Sequence, residues 1–133
     1  MIARTMLAVT AVTAVAALTL PGGLVAPAYA SHGGANDVRA GGTCSGSAHW
    51  KLKAKPDDGR IEVEGEIDSN VAGQRWRWTF KHDGSVSARG SKRTAGRSGS
   101  FSVERRMANL SGPDHFVFRA THGKQTCRGT ISF

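Results

Sequence analysis

Gln74-Arg75-Trp76-Arg77-Trp78-Thr79-Phe80-Lys81 alternates without a slip and holds two of the chain's three tryptophans. Side chains on a β-strand point to opposite faces with a period of two. Gln74, Trp76, Trp78 and Phe80 therefore share one face, and Arg75, Arg77, Thr79 and Lys81 the other. The first face suits the centre of a core and the second a basic surface. This octet sets the expectation for the rest of the chain: strands with one buried face and one wet face.

The flanking segments repeat the pattern. His82-Asp83-Gly84 reads as a three-residue hairpin loop with Gly where a positive φ is needed, and Ser85 to Gly90 returns as a strand. With Lys81 opposite Ser85, Phe80 meets Val86, Trp78 meets Ala88 and Trp76 meets Gly90. Upstream, Ala48, Trp50, Leu52 and Ala54 share a face, and His49, Lys51, Lys53 and Lys55 share the other. Pro56-Asp57-Asp58-Gly59 is turn chemistry. Arg60 to Asp68 then alternates with Ile61, Val63, Gly65 and Ile67 inward and a row of carboxylates outward. Placing Lys55 opposite Arg60 sets Lys53 against Glu62, Lys51 against Glu64 and His49 against Glu66. The same register sets Leu52 against Val63 and Trp50 against Gly65. Opposite charges and large–small pairs support such a register. The carboxylate row reads as a solvated, salt-bridged face, not a catalytic cluster.

Downstream, Ser91 to Gly99 is expected as a polar, basic, flexible loop. Ser100 to Arg106 resumes alternation through Phe101 and Val103, and Met107 to Asp114 forms a turn region with Gly112-Pro113. His115 to Thr121 and Thr126 to Phe133 pair around the loop His122-Gly123-Lys124-Gln125. Thr121 opposite Thr126 places Ala120 against Cys127, Phe118 against Gly129 and Phe116 against Ile131. These segments make seven strands with closely spaced turn signals, and no helical period appears beyond the N-terminal stretch. The expected fold is all-β: a seven-stranded antiparallel β-sandwich over residues 44–133.

Residues 1–30 read as a cleaved signal peptide. Arg4 supplies a positive start, Met6 to Leu20 is apolar, and Ala28-Tyr29-Ala30 offers small residues before Ser31. The apolar run is about 15 residues, short of the ~20 that span a bilayer. No membrane anchor is expected after cleavage, and the protein is read as secreted. Residues 31–43 are Gly/Ala-rich and are expected as a flexible lead-in. Cys44 and Cys127 are the chain's two cysteines. An even count in an oxidising compartment favours a disulfide between them.

Leu110-Ser111-Gly112-Pro113-Asp114-His115-Phe116-Val117-Phe118-Arg119-Ala120 resembles the turn into the sixth strand of immunoglobulin-like and fibronectin type III domains. Those families place a Leu before a Gly/Pro/Asp turn, then an aromatic, then alternating core residues. The resemblance implies strands one, two and five in one sheet and strands three, four, six and seven in the other. It gives Trp76 or Trp78 the role of the central Trp. Two features depart from it. Phe116 stands where the family usually has Tyr, so the tyrosine-corner hydrogen bond cannot form. Cys44 precedes the first strand, so a bridge to Cys127 pins the N-terminal entry to the last strand. Trp50-Lys51-Leu52-Lys53-Ala54-Lys55-Pro56-Asp57-Asp58-Gly59-Arg60-Ile61-Glu62-Val63 and Gly99-Ser100-Phe101-Ser102-Val103-Glu104-Arg105-Arg106 also resemble small exported bacterial single-domain proteins of unknown function. That likeness covers residues 44–133 and implies no activity.

Charge is distributed unevenly. Residues 31–70 carry 5 basic and 7 acidic groups, net −2; residues 71–133 carry 12 basic and 3 acidic groups, net +9. Arg75, Arg77, Lys81, Arg89, Arg119 and Arg128 fall on the outward side of strands by the alternation, with Lys92, Arg93 and Arg97 in the adjoining loop. They are the candidate anion-binding residues, and the candidate ligands are cell-wall polymers and acidic glycans. Nucleic acid is disfavoured, because no exposed aromatic is expected among these cations to stack a base. The alternative is a protein-interaction or adhesion module, with an extracellular protein as partner and the cations acting only as solubilising charge. No Gly-x-Ser-x-Gly, His-Glu-x-x-His or phosphate-loop pattern occurs. The five histidines are scattered. No enzyme activity, metal or cofactor is expected.

Overall fold

The computed structural model describes Asn36–Phe133. The expected signal peptide and the first residues of the lead-in, through Ala35, lie outside the described residues. Eight strands follow in order: β1 (Val38–Thr43), β2 (His49–Asp57), β3 (Arg60–Asp68), β4 (Arg75–His82), β5 (Ser85–Arg93), β6 (Ser100–Ala108), β7 (His115–His122) and β8 (Gln125–Ser132). They form two antiparallel four-stranded sheets, ordered β1-β2-β3-β6 and β5-β4-β7-β8. These pack face to face as an all-β sandwich, and the expected seven strands divide between the sheets as anticipated. The eighth is β1. Val38–Thr43 was expected within a flexible lead-in, yet it pairs with β2 from Val38 opposite Ala54 to Thr43 opposite His49. Its glycines hide it from a hydrophobicity pattern but suit its place. A Cβ on Gly42 would stand 3.0 Å from the Trp50 indole.

The core is built from the inward rows. Trp76, Phe80, Phe116, Phe118, Leu52, Ile61, Val63 and Ile67 are wholly buried. The β7–β8 register is the expected one, with Ala120 opposite Cys127, Phe118 opposite Gly129 and Phe116 opposite Ile131. The other two hairpins correct the sequence reading.

In the first, Lys55 pairs with Glu62, Lys53 with Glu64, Lys51 with Glu66 and His49 with Asp68. The shift from the expected register is two residues. Asp58 (φ 47°) and Gly59 (φ 74°) alone form the turn, and two successive positive φ values mark the type I′ geometry whose twist matches its strands. Pro56 and Asp57 remain in the ladder, opposite Ile61 and Arg60. A slip of two preserves every inward and outward assignment, and the Lys and Glu rows repeat every two residues. Charge complementarity therefore could not distinguish the registers. Trp50 faces Ile67, not Gly65.

In the second, Asp83 (φ 46°) and Gly84 (φ 84°) form another two-residue turn. His82 opposes Ser85 and Lys81 opposes Val86; the register then shifts so that Phe80 opposes Ala88, Trp78 opposes Gly90 and Trp76 opposes Lys92. The extra residue on β5 is Ser87, a β-bulge. Without it, the turn would set Arg89 opposite Trp78 and drive a guanidinium into the core. The bulge returns Ala88 and Gly90 to the side of the rings. β5 also runs through Ser91–Arg93, and β6 through Met107–Ala108. Both stretches were expected outside strands. Gly99 (φ 60°) completes a tight connection in which a Cβ would meet the backbone of Val71.

Gly65 and Gly129 make room for rings from across the sandwich. A Cβ on Gly65 would lie 2.7 Å from the Phe118 ring, and one on Gly129 would run into that of Trp50. Cys44 and Cys127 form a disulfide across 83 residues of sequence, with Cα atoms 4.3 Å apart. It ties the segment after β1 to β8 and so joins the two sheets. Asp114, buried beside Phe116, accepts hydrogen bonds from the Leu110 N–H (3.2 Å) and from His82 Nε2 (2.6 Å). A carboxylate thus ties this strand entry back to Leu110, where Phe116 has no hydroxyl to do so.

Gly65→Ala should destabilise the domain by about 1–3 kcal/mol, because the new methyl has no space under Phe118. Urea unfolding with an unchanged m-value is the check. Replacing both cysteines by serine should cost about 4–5 kcal/mol in the loop-entropy treatment of a closure this long. Chemical denaturation of the reduced and oxidised wild type measures the same quantity independently.

Candidate functional site

The two outer faces of the sandwich carry different electrostatics. On β2 and β3, Lys53 and Glu64 approach to 3.1 Å, Lys55 and Glu62 to 3.1 Å, and Lys51 and Glu66 to 3.5 Å. Arg106 on β6 pairs with Asp57 at 2.6 Å. This is the salt-bridged face the alternation implied. The Glu62 carboxylate, through its hydrogen bond and its charge, holds Lys55 above the usual lysine range. Glu64 lies directly opposite Glu104 of β6. The hydrogen bond shared with Glu64 pushes Glu104 above the usual carboxylate range, and the charges of Glu62 and Glu64 add to it. Partial burial pushes Glu64 up, but hydrogen bonds from Lys53 and Glu104 outweigh it and leave Glu64 below that range.

The outer face of β5-β4-β7-β8 is different. Thr79 opposes Arg89 on one side and Arg119 on the other, and Arg119 opposes Arg128. One row across the four strands therefore reads Arg89–Thr79–Arg119–Arg128. The next row reads Ser91–Arg77–Thr121–Thr126, and beyond it Arg75 opposes Arg93. Lys81, opposite Val117, lies two residues along β4 from Thr79. The structure thus gathers all six candidates, Arg75, Arg77, Lys81, Arg89, Arg119 and Arg128, on one exposed face. Neighbouring strands lie about 4.8 Å apart and alternate residues along a strand about 6.8 Å apart, so the cations form a lattice on that scale. None of the six makes a salt bridge among the described residues.

Of the three cations expected in a loop, Lys92 and Arg93 belong to β5. Lys92 is at an inward position of this edge strand and donates to the Ser102 carbonyl at 2.6 Å. Arg93 is outward and donates to the Gly73 carbonyl at 2.9 Å. Arg105, on β6, lies at the same seam as Lys92, with its guanidinium 4.8 Å from the Trp78 ring centre. Trp76 and Trp78 are buried, as their inward positions required. The sequence reading assigned no role to Thr79 or Val117. Thr79 and Val117, with Lys81, Arg119 and Arg128, line a shallow depression of about 350 Å³. The outward alternation already placed Thr79 among the cations; only the β4–β7–β8 register brings the five residues together.

Two groups of potential metal ligands occur among the described residues: His82 with Asp83 and Asp114, and Glu62 with Glu64 and Glu104. Both are engaged in the fold. Asp114 holds His82 and Leu110, Asp83 accepts from the His115 N–H at 2.8 Å, and Glu62 and Glu64 hold Lys55 and Lys53. His122 lies at the far end of β4 from His82, its Nδ1 2.8 Å from the Arg75 carbonyl. No protein-family profile, curated protein or solved structure matches the chain.

Glu104→Gln tests the paired-carboxylate geometry. The folded-state pKa of Glu104 lies above its unfolded value, so proton uptake favours the fold. That contribution is present below the unfolded pKa and lost as pH rises through the folded one. At pH 7 the wild type carries the full Glu64–Glu104 repulsion, and the variant should melt higher. The difference should shrink as pH falls through the carboxylate range. Melting curves between pH 3 and 7 give the comparison; a lower midpoint for the variant at pH 7 contradicts it.

Proposed function

We propose that this chain is an exported, non-catalytic β-sandwich module of the immunoglobulin/fibronectin type III kind that binds anionic polymers, such as cell-wall polymer or acidic glycan. Its binding surface is the outer face of β5-β4-β7-β8. The observation that carries the reading is the lack of compensation on that face. Like charges directly opposite on neighbouring strands oppose folding, yet Arg119 faces Arg128 and Arg75 faces Arg93. On the other sheet, Lys51, Lys53 and Lys55 each have a carboxylate. A surface needed only for solubility works best with both signs interspersed. A single-sign lattice attracts a polyanion and releases its counterions on contact. Export is supported by the signal-like N-terminus and by the disulfide, a bond that persists in oxidising compartments. The shallow depressions and the buried tryptophans favour a surface-laid chain over a ligand enclosed in a cavity.

Arg75→Glu with Arg77→Glu should lower retention on heparin or wall polymer. Wild-type binding should fall steeply with salt, and losing two cationic contacts should flatten the log–log slope by about 1.5. Both positions are exposed, so the melting temperature should stay close to wild type. Unchanged retention in a folded variant would leave the cations as solubilising charge and the module as a protein-interaction domain. A partner held through salt washes would be the positive sign of that second role.

A further inference from the structure

We propose that Lys81, Arg119 and Arg128 form a discrete seat for one tetrahedral oxyanion, so that the bound polymer carries phosphate or sulfate esters rather than carboxylates alone. The inference rests on the anion-binding reading above and narrows its ligand class. Three adjacent strands, β4, β7 and β8, each bring a cation to the rim of the depression of about 350 Å³. Thr79 brings a hydroxyl and Val117 an apolar patch. A carboxylate has two oxygens in one plane, and a single guanidinium fork satisfies both. Cations approaching from three strands, with a hydroxyl beside them, fit an anion whose oxygens point in several directions. Val117 displaces water from one side and lowers the local dielectric, which strengthens each ion contact. Arg119 and Arg128 are directly opposed, and an oxyanion between them turns their repulsion into shared attraction. Arg75 and Arg77 lie farther along β4, outside this depression, and act through the general field of the face.

Two variants with equal charge loss separate the seat from the field. Arg119→Gln/Arg128→Gln removes two cations from the depression, and Arg75→Gln/Arg77→Gln removes two from the same face outside it. Each is titrated, beside wild type, with poly(glycerol phosphate), with heparin as a sulfated glycan, and with hyaluronan as a carboxylate-only glycan. The seat predicts that the 119/128 variant loses ~10-fold more affinity than the 75/77 variant for the polymers bearing esters, on the scale of one or two charged contacts. Hyaluronan should show no such difference between the variants. Loss confined to poly(glycerol phosphate) identifies a phosphate polymer, and loss confined to heparin a sulfated glycan. The 119/128 variant should melt at or slightly above the wild-type temperature, since it relieves a like-charge pair, so weak binding cannot be assigned to unfolding. Equal losses in the two variants, or a larger hyaluronan effect, overturn the seat while leaving the basic face as the binding surface. Wild-type protein that binds none of the three polymers overturns the anion-binding reading itself.

Discussion

The two-residue period of β4 joins the core and the cationic surface into one constraint. Trp76, Trp78 and Phe80 can be buried only if Arg75, Arg77 and Lys81 face water, because neighbouring side chains on a strand leave in opposite directions. The neighbours must then keep phase. β7 does so by simple pairing, with Thr79 opposite Arg119 and Phe80 opposite Phe118. β5 does so through the bulge at Ser87, which absorbs the odd residue that the Asp83-Gly84 turn introduces. One residue fewer would exchange the wet and dry faces of the strand beyond it and put Arg89 against Trp78. The fold and the basic face therefore depend on the same parity.

Close ring packing sets how the sheets meet. Phe118 occupies the space over Gly65 and Trp50 the space over Gly129, so aromatic rings from each sheet reach the backbone of the other. The disulfide fastens the seam where the segment after β1 meets β8. At the opposite seam, Lys92 on β5 and Arg105 on β6 occupy inward positions and hold their charges at the rim. Inward-pointing charge on edge strands discourages pairing with another chain. The open edges are thus blunted by cations that the alternation alone would have assigned to the core.

Opposite faces of one small domain show two ways of handling charge. The β2–β3 ladder interleaves Lys and Glu and compensates itself, and where its middle row runs on into the neighbouring strands Lys53 meets Arg39 of β1 and Glu64 meets Glu104 of β6. The β4–β7–β8 face concentrates Arg and Lys without carboxylates and leaves Arg119 against Arg128. A compensated face has little long-range field. An uncompensated one attracts anions over roughly a Debye length, about 8–10 Å at ordinary salt. That contrast makes the basic face the better place to look for a ligand.

Alternation alone determined much of this protein: seven of the strand segments, the buried face of each, and the outward placement of Arg75, Arg77, Lys81, Arg89, Arg119 and Arg128. These follow from a local rule that needs only neighbouring residues. The β7–β8 register was also legible, because Thr121 and Thr126 pair on either side of a short loop. The β2–β3 register was not. Its Lys and Glu rows repeat every two residues, so two slips are equally complementary, and the backbone twist of Asp58-Gly59 chooses between them. β1 was invisible to a hydrophobic pattern, since Gly41 and Gly42 contribute hydrogen-bonded backbone and room for Trp50 instead of apolar side chains. The bulge at Ser87 leaves no local signature, because its purpose appears only when the Trp side of β4 is already buried. The grouping of Lys81, Thr79, Val117, Arg119 and Arg128 likewise required tertiary structure. Those residues come from three strands far apart in sequence, and only hydrogen-bonded registers decide which outward side chains become neighbours.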